Sequence, residues 1–480
     1  MARGSLLPAG RQFVLTWGVP REYGGLTAAL FQRSRLFAGL GRTAVHVLTC
    51  DDRDDRVAVT AELARRGALT DGVRLTNLWD WLRENDLRGR AVGAGAGFSP
   101  LGGDADAEYS GETLVRRIRT DARGAVAQID HLRPDGTLAA SDRRDVPHAS
   151  GRRRRVIVTC DATGAPRSAW RGVRELYAAW LDRLTAGEPS FLLVDSKAMA
   201  RFAAGYRRPG VTVLHVVHGS HLTDDGTSIR PSRAEVFSRL SAFDAVVFCT
   251  ARQAGDVRRE VGVLPLLAAV PHPVAIPEAD LVRPRSGATV IARLEPIKRV
   301  EDAIEAVARA RARLDDLTLD VYGDGPARLP LEQRAGEGVR FHGFQPGARD
   351  TLASTGFLLL TSRSEAFSLV VAEAMAAGCL PIAYDVAYGP RELIAHGSTG
   401  WLVPPGDVDA LADALVAASS LDAASLQRMR RRARDRARAY DENAVLARWG
   451  LTLRRARRRH RVRQSTWRVR ETLRRRLRIG

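Results

Sequence analysis

The sequence predicts an α/β chain of two domains facing a cleft, the first carrying an antiparallel β insertion. Three observations lead there. Short apolar runs alternate with segments of helical periodicity near the N-terminus and again from about residue 156 onward, the pattern of parallel sheets covered by helices. Between about residues 88 and 150 that rhythm gives way to short strand-like pieces separated by hairpin turn signals. The stretch Pro265–Pro284 contains five prolines and reads as an interdomain linker. The expected division is 1–280 for the first domain, 281–440 for the second, and 441–480 for a crossover helix and an Arg-rich tail.

In the first domain Phe13–Thr16 is a strand candidate, Gly24-Gly25 follows it, and Leu26–Ala38 has helical periodicity. Ala44–Thr49 is the next strand. Gly89–Gly103 is a loop. The insertion then offers Leu114–Thr120, Ala125–Leu132 and Thr137–Ala140, separated by Asp121-Ala122-Arg123-Gly124 and Pro134-Asp135-Gly136. The α/β rhythm is expected to return at Val156–Cys160 and to continue through Phe191–Val194, Val211–Val217 and Ala245–Cys249. The second domain has strand candidates at Thr289–Ala292, Leu317–Tyr322, Val339–His342, Phe357–Thr361 and Leu380–Tyr384. Glu301–Leu314, Ser368–Ala377, Val408–Ala418 and Ser425–Ala439 are its helices. A linker between two such domains leaves a cleft, a frequent place for a ligand.

Composition narrows the classes. At 480 residues and 45% hydrophobic content the chain has enough apolar material for ordinary cores. No uninterrupted apolar run approaches bilayer length, and Met1–Gly10 has no apolar segment of the kind a secretory signal needs. Cys50, Cys160, Cys249 and Cys379 lie far apart in or beside apolar segments, without metal-ligand spacing. They read as buried free thiols of a cytoplasmic protein. Of the net charge of +19, residues 453–480 supply +12 through thirteen Arg and one Glu, so anion binding is sought first in that tail. Lys197 and Lys298 are the only lysines, which makes the position of each informative.

Three segments of the second domain carry chemistry. Arg293 and Lys298 stand on the loop after a strand, with the spacing Arg-x4-Lys. Two such cations suit a diphosphate and the charge that builds on a departing nucleotide, although a solvated loop pair is the plainer alternative. Gly323 and Gly325 follow the next strand, where glycine admits a ligand to the backbone or simply forms a tight turn. Glu365 precedes a helix start at Ser368-Leu369-Val370, and Glu373 lies two turns inside it. Free N–H groups there suit phosphate, and the two carboxylates suit hydroxyls of a sugar and a ribose. Glu365 also complements the helix N-terminus, and Glu373 has the plainer reading of a surface residue, against which its apolar neighbours count.

This arrangement resembles the retaining GT-B glycosyltransferases that include glycogen and sucrose synthases and many bacterial cell-envelope enzymes. Their Glu-x7-Glu is met by Glu365 and Glu373, and their Arg-x4-Lys by Arg293 and Lys298. The resemblance implies two Rossmann-like domains and a nucleotide-sugar donor. Arg293 and Lys298 then bind its diphosphate and Glu373 its ribose, while Glu365 meets the sugar hydroxyls and the backbone at Ser368, Leu369 and Val370 touches the phosphates. Gly323 and Gly325 fall at the nucleotide, and Gly24 and Gly25 at the donor phosphates and acceptor. His218, at the end of Val211–Val217, matches the family histidine against the donor sugar, with His221 second and His215 packed inside the strand. The family often has Gly where this chain has Ala366 and Ser368, a departure that bears on the local backbone. No residue is an obvious nucleophile, so the resemblance implies a front-face retaining reaction, with hexosyl transfer and no metal.

The segment Ala383–Ile394 further resembles bacterial poly(glycerol-phosphate) and poly(ribitol-phosphate) α-glycosyltransferases of teichoic acid, which also carry a β insertion. That implies UDP-glucose or UDP-N-acetylglucosamine as donor and an anionic polyol-phosphate acceptor, with self-association through the insertion. A lipid-linked or exopolysaccharide acceptor is the alternative. Tyr388 and Glu392 have the plainer alternative of packing and capping. The tail 454–480, with Leu453, Val462, Trp467, Val469, Leu473, Leu477 and Ile479 among its arginines, reads as a basic amphipathic segment for an anionic membrane face or polymer, or as a solvated tail. A purely nucleic-acid-binding role leaves both motif pairs unexplained, and no nucleic-acid partner is expected.

Overall fold

The computed structural model describes residues 6–477 apart from 22–23, 54, 93–97, 149, 224, 263–264 and 278–285, with side chains described as far as residue 465. Strands β1 (Arg11–Leu15), β2 (Val45–Thr49) and β3 (Val73–Asn77) open the chain. An antiparallel series follows: β4 (Arg90–Ala91), β5 (Asp106–Ser110), β6 (Thr113–Thr120), β7 (Val126–Leu132), β8 (Leu138–Pro147), β9 (Arg153–Cys160) and β10 (Pro166–Trp170). Then come β11 (Ser190–Val194), β12 (Val211–Val217), β13 (Ala245–Phe248) and β14 (Leu266–Ala269). The last series is β15 (Ser286–Ile291), β16 (Leu319–Tyr322), β17 (Val339–Gly343), β18 (Thr355–Leu360), β19 (Leu380–Tyr384) and β20 (Trp401–Val403). They form three sheets, in the orders β14-β13-β12-β11-β1-β2-β3, β4-β10-β9-β8-β7-β6-β5 and β17-β16-β15-β18-β19-β20. The printed pairings of the first and third are parallel and those of the second antiparallel.

The insertion exceeds its expected bounds. Val156–Cys160, read as a strand of the parallel series, lies in β9 and pairs antiparallel with β8 and β10. The reason is the turn Asp161–Gly164, where the Asp161 amide bonds the Ala165 carbonyl and Gly164 takes φ 82°. It sends the chain straight back, as Asp121–Gly124 and Pro134–Gly136 do at the two expected hairpins. The expected linker also begins later, because Leu266–Ala269 forms β14 beside β13; the expected residues 278–284 lie outside the described ones.

Contacts gather into two compact units. One holds Met1–Leu7, Val216–Ser241 and Ala245–Arg455, and the other Pro8–His215, Ala242–Asp244 and Ala456–Gly480. In the first, β18 and β19 are almost wholly buried, as parallel strands covered on both faces must be. The helix Val300–Arg311 buries Val300, Ala303, Ile304, Val307 and Ala310, a stripe at helical spacing, with Glu301 and Asp302 in its first turn and Arg309 and Arg311 in its last. The helix Leu369–Ala377 buries Val371, Ala372, Ala374, Met375, Ala376 and Ala377, four of them alanines.

The last described element is one helix, Glu442–Leu477. Some arginines in its described part bond the protein itself. In the second unit Arg457 donates to the Ala9 carbonyl at 2.7 Å and lies over the Phe191 ring, while Arg463 donates to the Phe243 carbonyl at 3.0 Å. His460 Nδ1 lies 2.9 Å from Asp244 Oδ2. Trp467 and the residues beyond it lie outside the described side chains. All four cysteines are buried and outside any disulfide, as expected. Among the described residues no helix is long and apolar enough to cross a membrane.

Candidate functional site

The loop after β15 is built by backbone bonds to its neighbours. The Leu294 amide donates to the Asp324 carbonyl at 2.8 Å, and the Ala327 amide to the Leu294 carbonyl at 3.0 Å. Two glycines make this approach possible. A Cβ on Gly323, at φ 138°, would stand 1.7 Å from the Ala292 carbonyl oxygen, and one on Gly325, at φ 152°, 2.5 Å from that of Leu294. The physical demand for glycine here thus comes from the neighbouring loop. On its other side the loop is tied to the segment after β18: the Arg363 amide donates to the Ile297 carbonyl at 2.9 Å, and Thr361 Oγ1 to the Lys298 carbonyl at 3.0 Å.

That stitching brings Lys298 and Glu365 together. Lys298 Nζ donates to Glu365 Oε1 at 2.6 Å, with the two side chains 22% and 12% exposed. Arg293 pairs instead with Glu295 of its own loop, and its side chain is largely exposed. The two cations expected to act together therefore hold different carboxylates.

Ser368 begins the helix that follows Glu365. It is 4% exposed and adopts φ 65° and ψ 65°, a left-handed conformation rare outside glycine. Its hydroxyl is buried with no hydrogen-bond partner among the described residues. The conformation matches the family's preference for glycine here, and this chain keeps it with serine. The Val371 and Ala372 amides return to the Ser368 carbonyl, whereas the amides of Leu369 and Val370 belong to the first turn, where an α-helix leaves N–H groups without intrahelical partners. Two turns on, Glu373 pairs with Arg349 at 2.9 Å and is mostly buried. Burial raises its carboxyl to about 7, and Arg349 opposes that rise without cancelling it.

His218 follows β12 and is half-buried, its ring stacked on His272 at 5.8 Å. His272 in turn meets Phe367, the residue before Ser368, edge-on at 5.6 Å. The motif histidine and the helix start are thus linked through His272, a residue the linker reading passed over. His215 is packed in its strand, with Nδ1 2.9 Å from the Val194 carbonyl, as expected. His221 is buried and stacked between Phe237 and Tyr388, its Nε2 3.2 Å from Glu260. Tyr388 and Glu392 also have structural partners: Tyr388 donates to Asp256 at 2.9 Å, and Glu392 accepts from the Ala251 and Arg252 amides at the start of helix Ala251–Val261.

Gly24 and Gly25 lie in the second unit. Gly24 precedes the helix Gly25–Ala38 with extended backbone, and a Cβ on Gly25 would meet nothing within 4 Å among the described residues. The same unit has a polar cavity of about 60 Å³ beyond β2 and β3, lined by Asp51, Arg53, Arg56, Asn77 and Asp80 among others.

Comparison with known proteins bears on this architecture. Residues 286–420 match the family described as Glycosyl transferases group 1. An exopolysaccharide phosphotransferase of Streptomyces coelicolor is 39% identical over 190 residues, covering 37% of this chain and 20% of the relative. The poly(glycerol-phosphate) alpha-glucosyltransferase of Bacillus subtilis is 23% identical over 291 residues, covering 58% of this chain and 43% of the relative. The chain thus spans less than half the length of these two curated relatives. A crystal structure of S. aureus TarM with Fondaparinux, alpha-GlcNAc-glycerol and UDP superimposes with a TM-score of 0.70 at 16% identity, over 93% of this chain and 99% of that one. The likeness is one of fold, and the expected GT-B architecture, with an antiparallel sheet added to its parallel ones, is the one observed.

Proposed function

We propose that this chain, which carries a Glycosyl transferases group 1 domain over residues 286–420, is a retaining glycosyltransferase using a nucleotide-diphosphate sugar, UDP-glucose or UDP-N-acetylglucosamine. The observation that carries the reading is the 2.6 Å Lys298–Glu365 pair, set on loops stitched together ahead of a helix start whose Ser368 holds a left-handed backbone. In this reading Lys298 and Arg293 neutralise the departing diphosphate, and the amides of Leu369 and Val370 take phosphate oxygens. Glu365, oriented by Lys298, accepts from donor-sugar hydroxyls, and Glu373 meets the ribose. His218 faces the sugar. Gly323 and Gly325 shape the nucleotide side, and Gly24 and Gly25 leave room for phosphate and acceptor. The leaving phosphate assists deprotonation of the acceptor hydroxyl, and the chemistry asks for no metal.

The acceptor in this proposal is an anionic polyol-phosphate polymer of the teichoic type, met in the cytoplasm at the inner membrane face. The relative of B. subtilis and the fold shared with TarM support that choice. The S. coelicolor relative, named for an exopolysaccharide, supports an exopolysaccharide or lipid-linked glycan as the second reading. Self-association through the β insertion belongs to the first. The deciding experiment follows nucleotide release from UDP-glucose, UDP-N-acetylglucosamine, UDP-galactose and GDP-mannose, with and without poly(glycerol phosphate). Release from one UDP-sugar that rises with the polymer supports the proposal. Release indifferent to the polymer moves the acceptor to the second reading, and no release from any donor overturns the enzyme.

A further inference from the structure

Three parallel strands, β12, β13 and β14, each lead to one metal-ligating side chain just beyond their C-terminal ends: His218, Cys249 and His272. One ligand atom from each lies within 4.8 Å of the others. Cys249 Sγ is 3.4 Å from His272 Nε2 and 3.5 Å from the Val217 carbonyl oxygen, and Cys249 is only 3% exposed. The His218 and His272 rings are parallel to within 2°.

We infer that His218, Cys249 and His272 form a binding site for a zinc-class ion. A tetrahedral zinc with Zn–S of about 2.3 Å and Zn–N of about 2.0–2.1 Å sets ligand atoms roughly 3.3–3.6 Å apart. The observed S···N separation already has that length, and closing the widest separation takes at most roughly 1.5 Å of side-chain travel. Two imidazoles and a thiolate select zinc, cobalt or copper(I) over magnesium or calcium. On binding, the Cys249 S–H bond gives its proton to the buffer and the sulfur lone pair goes to the metal. Three protein ligands leave a fourth position to water.

The ion is not a requirement of the proposed reaction. It occupies His218, so zinc should inhibit sugar transfer; that consequence rests on the donor role given to His218, whereas ion binding does not.

The test is a cobalt(II) titration of the full chain, purified without a histidine tag and followed by thiolate-to-cobalt charge transfer in the near ultraviolet. One cobalt per chain, displaced by zinc, is expected in the wild type. The band should vanish in Cys249→Ser and binding weaken at least about tenfold in His272→Ala. Cys249→Ser should keep the native circular dichroism spectrum and metal-free turnover. Absence of the band, or a band unchanged in Cys249→Ser, overturns the site. Zinc inhibition of the wild type but not of Cys249→Ser supports both the site and the role of His218. Binding without inhibition supports the site and removes His218 from the donor.

Discussion

The first strands of the two α/β series, β1 and β15, are followed by loops built in opposite ways. After β15 the chain is held on both sides, with Gly323 and Gly325 pressed against its carbonyls and Arg363 and Thr361 bonded to Ile297 and Lys298. After β1 the beginning of the loop is held, where the Trp17 amide donates to Ser196 Oγ and its carbonyl accepts from the Cys50 and Asp51 amides. Further along, Gly24 and Gly25 are exposed, and among the described residues nothing comes within 4 Å of the position of a Cβ on Gly25. Glycines flanking a motif therefore serve different ends. In one loop Gly323 and Gly325 admit the protein's own backbone, and in the other Gly25 leaves space among the described residues.

The largest effect should come from forcing a side chain into the crowded loop. Gly323→Ala puts a Cβ against the Ala292 carbonyl at φ 138° and should destabilise the protein by more than about 4 kcal/mol in chemical denaturation. A loss below about 1 kcal/mol would mean that the loop is as yielding as its counterpart.

Next is Lys298→Ala, which takes away the cation that the stitched loop places on Glu365. Turnover should fall roughly 10²–10³-fold with the circular dichroism spectrum unchanged. Wild-type rates would remove this loop from the site.

Glu373 offers a pH test. Its folded carboxyl titrates near 7, above its ordinary 4.5, so between those values the folded state retains a proton that the unfolded state has released. Stability should therefore fall as pH rises from about 5 to 7 and level off above, a change of roughly 2–3 kcal/mol. Glu373→Gln should flatten that decline in urea midpoints measured at pH 5 and pH 8. A parallel decline in both proteins would assign it to other groups.

Two smaller substitutions sharpen the contrast. Ser368→Gly relieves a left-handed backbone and should stabilise by about 1 kcal/mol, read as a rise in Tm. Gly25→Ala, at the first helical position with open space around it, should change stability by no more than about 1 kcal/mol, in the stabilising direction. If the open loop admits phosphate or acceptor, that variant should still lose turnover, which separates a glycine kept for a ligand from one kept for packing.

The motif residues were legible because each is set by its place along one strand–loop–helix unit. Glu365 and Glu373 fall before and inside a helix that is apolar almost all round, and Arg293 and Lys298 fall after a recognisable strand. What their partners would be was not legible. Nothing in the spacing Arg-x4-Lys says that Lys298 takes Glu365 while Arg293 takes Glu295, since the first choice depends on a contact 67 residues away. Nor does Glu392, in its own segment, disclose that it caps the helix Ala251–Val261.

The α/β alternation, the hairpins of the insertion, the buried thiols and the order of the motif residues are all readable along the chain, because periodicity, turn chemistry and apolarity are properties of short stretches. The antiparallel course of Val156–Cys160 follows from the turn Asp161–Gly164, an Asp-x-x-Gly pattern like that of Asp121–Gly124, whereas the apolar run itself reads the same in either direction; its pairing partners β8 and β10 are fixed only in the fold. Tertiary structure also decided that the segment read as linker supplies a strand and His272, and that this histidine meets Cys249 and His218. Residues far apart in sequence become a site only where parallel strands place their C-terminal ends side by side, which no local pattern records.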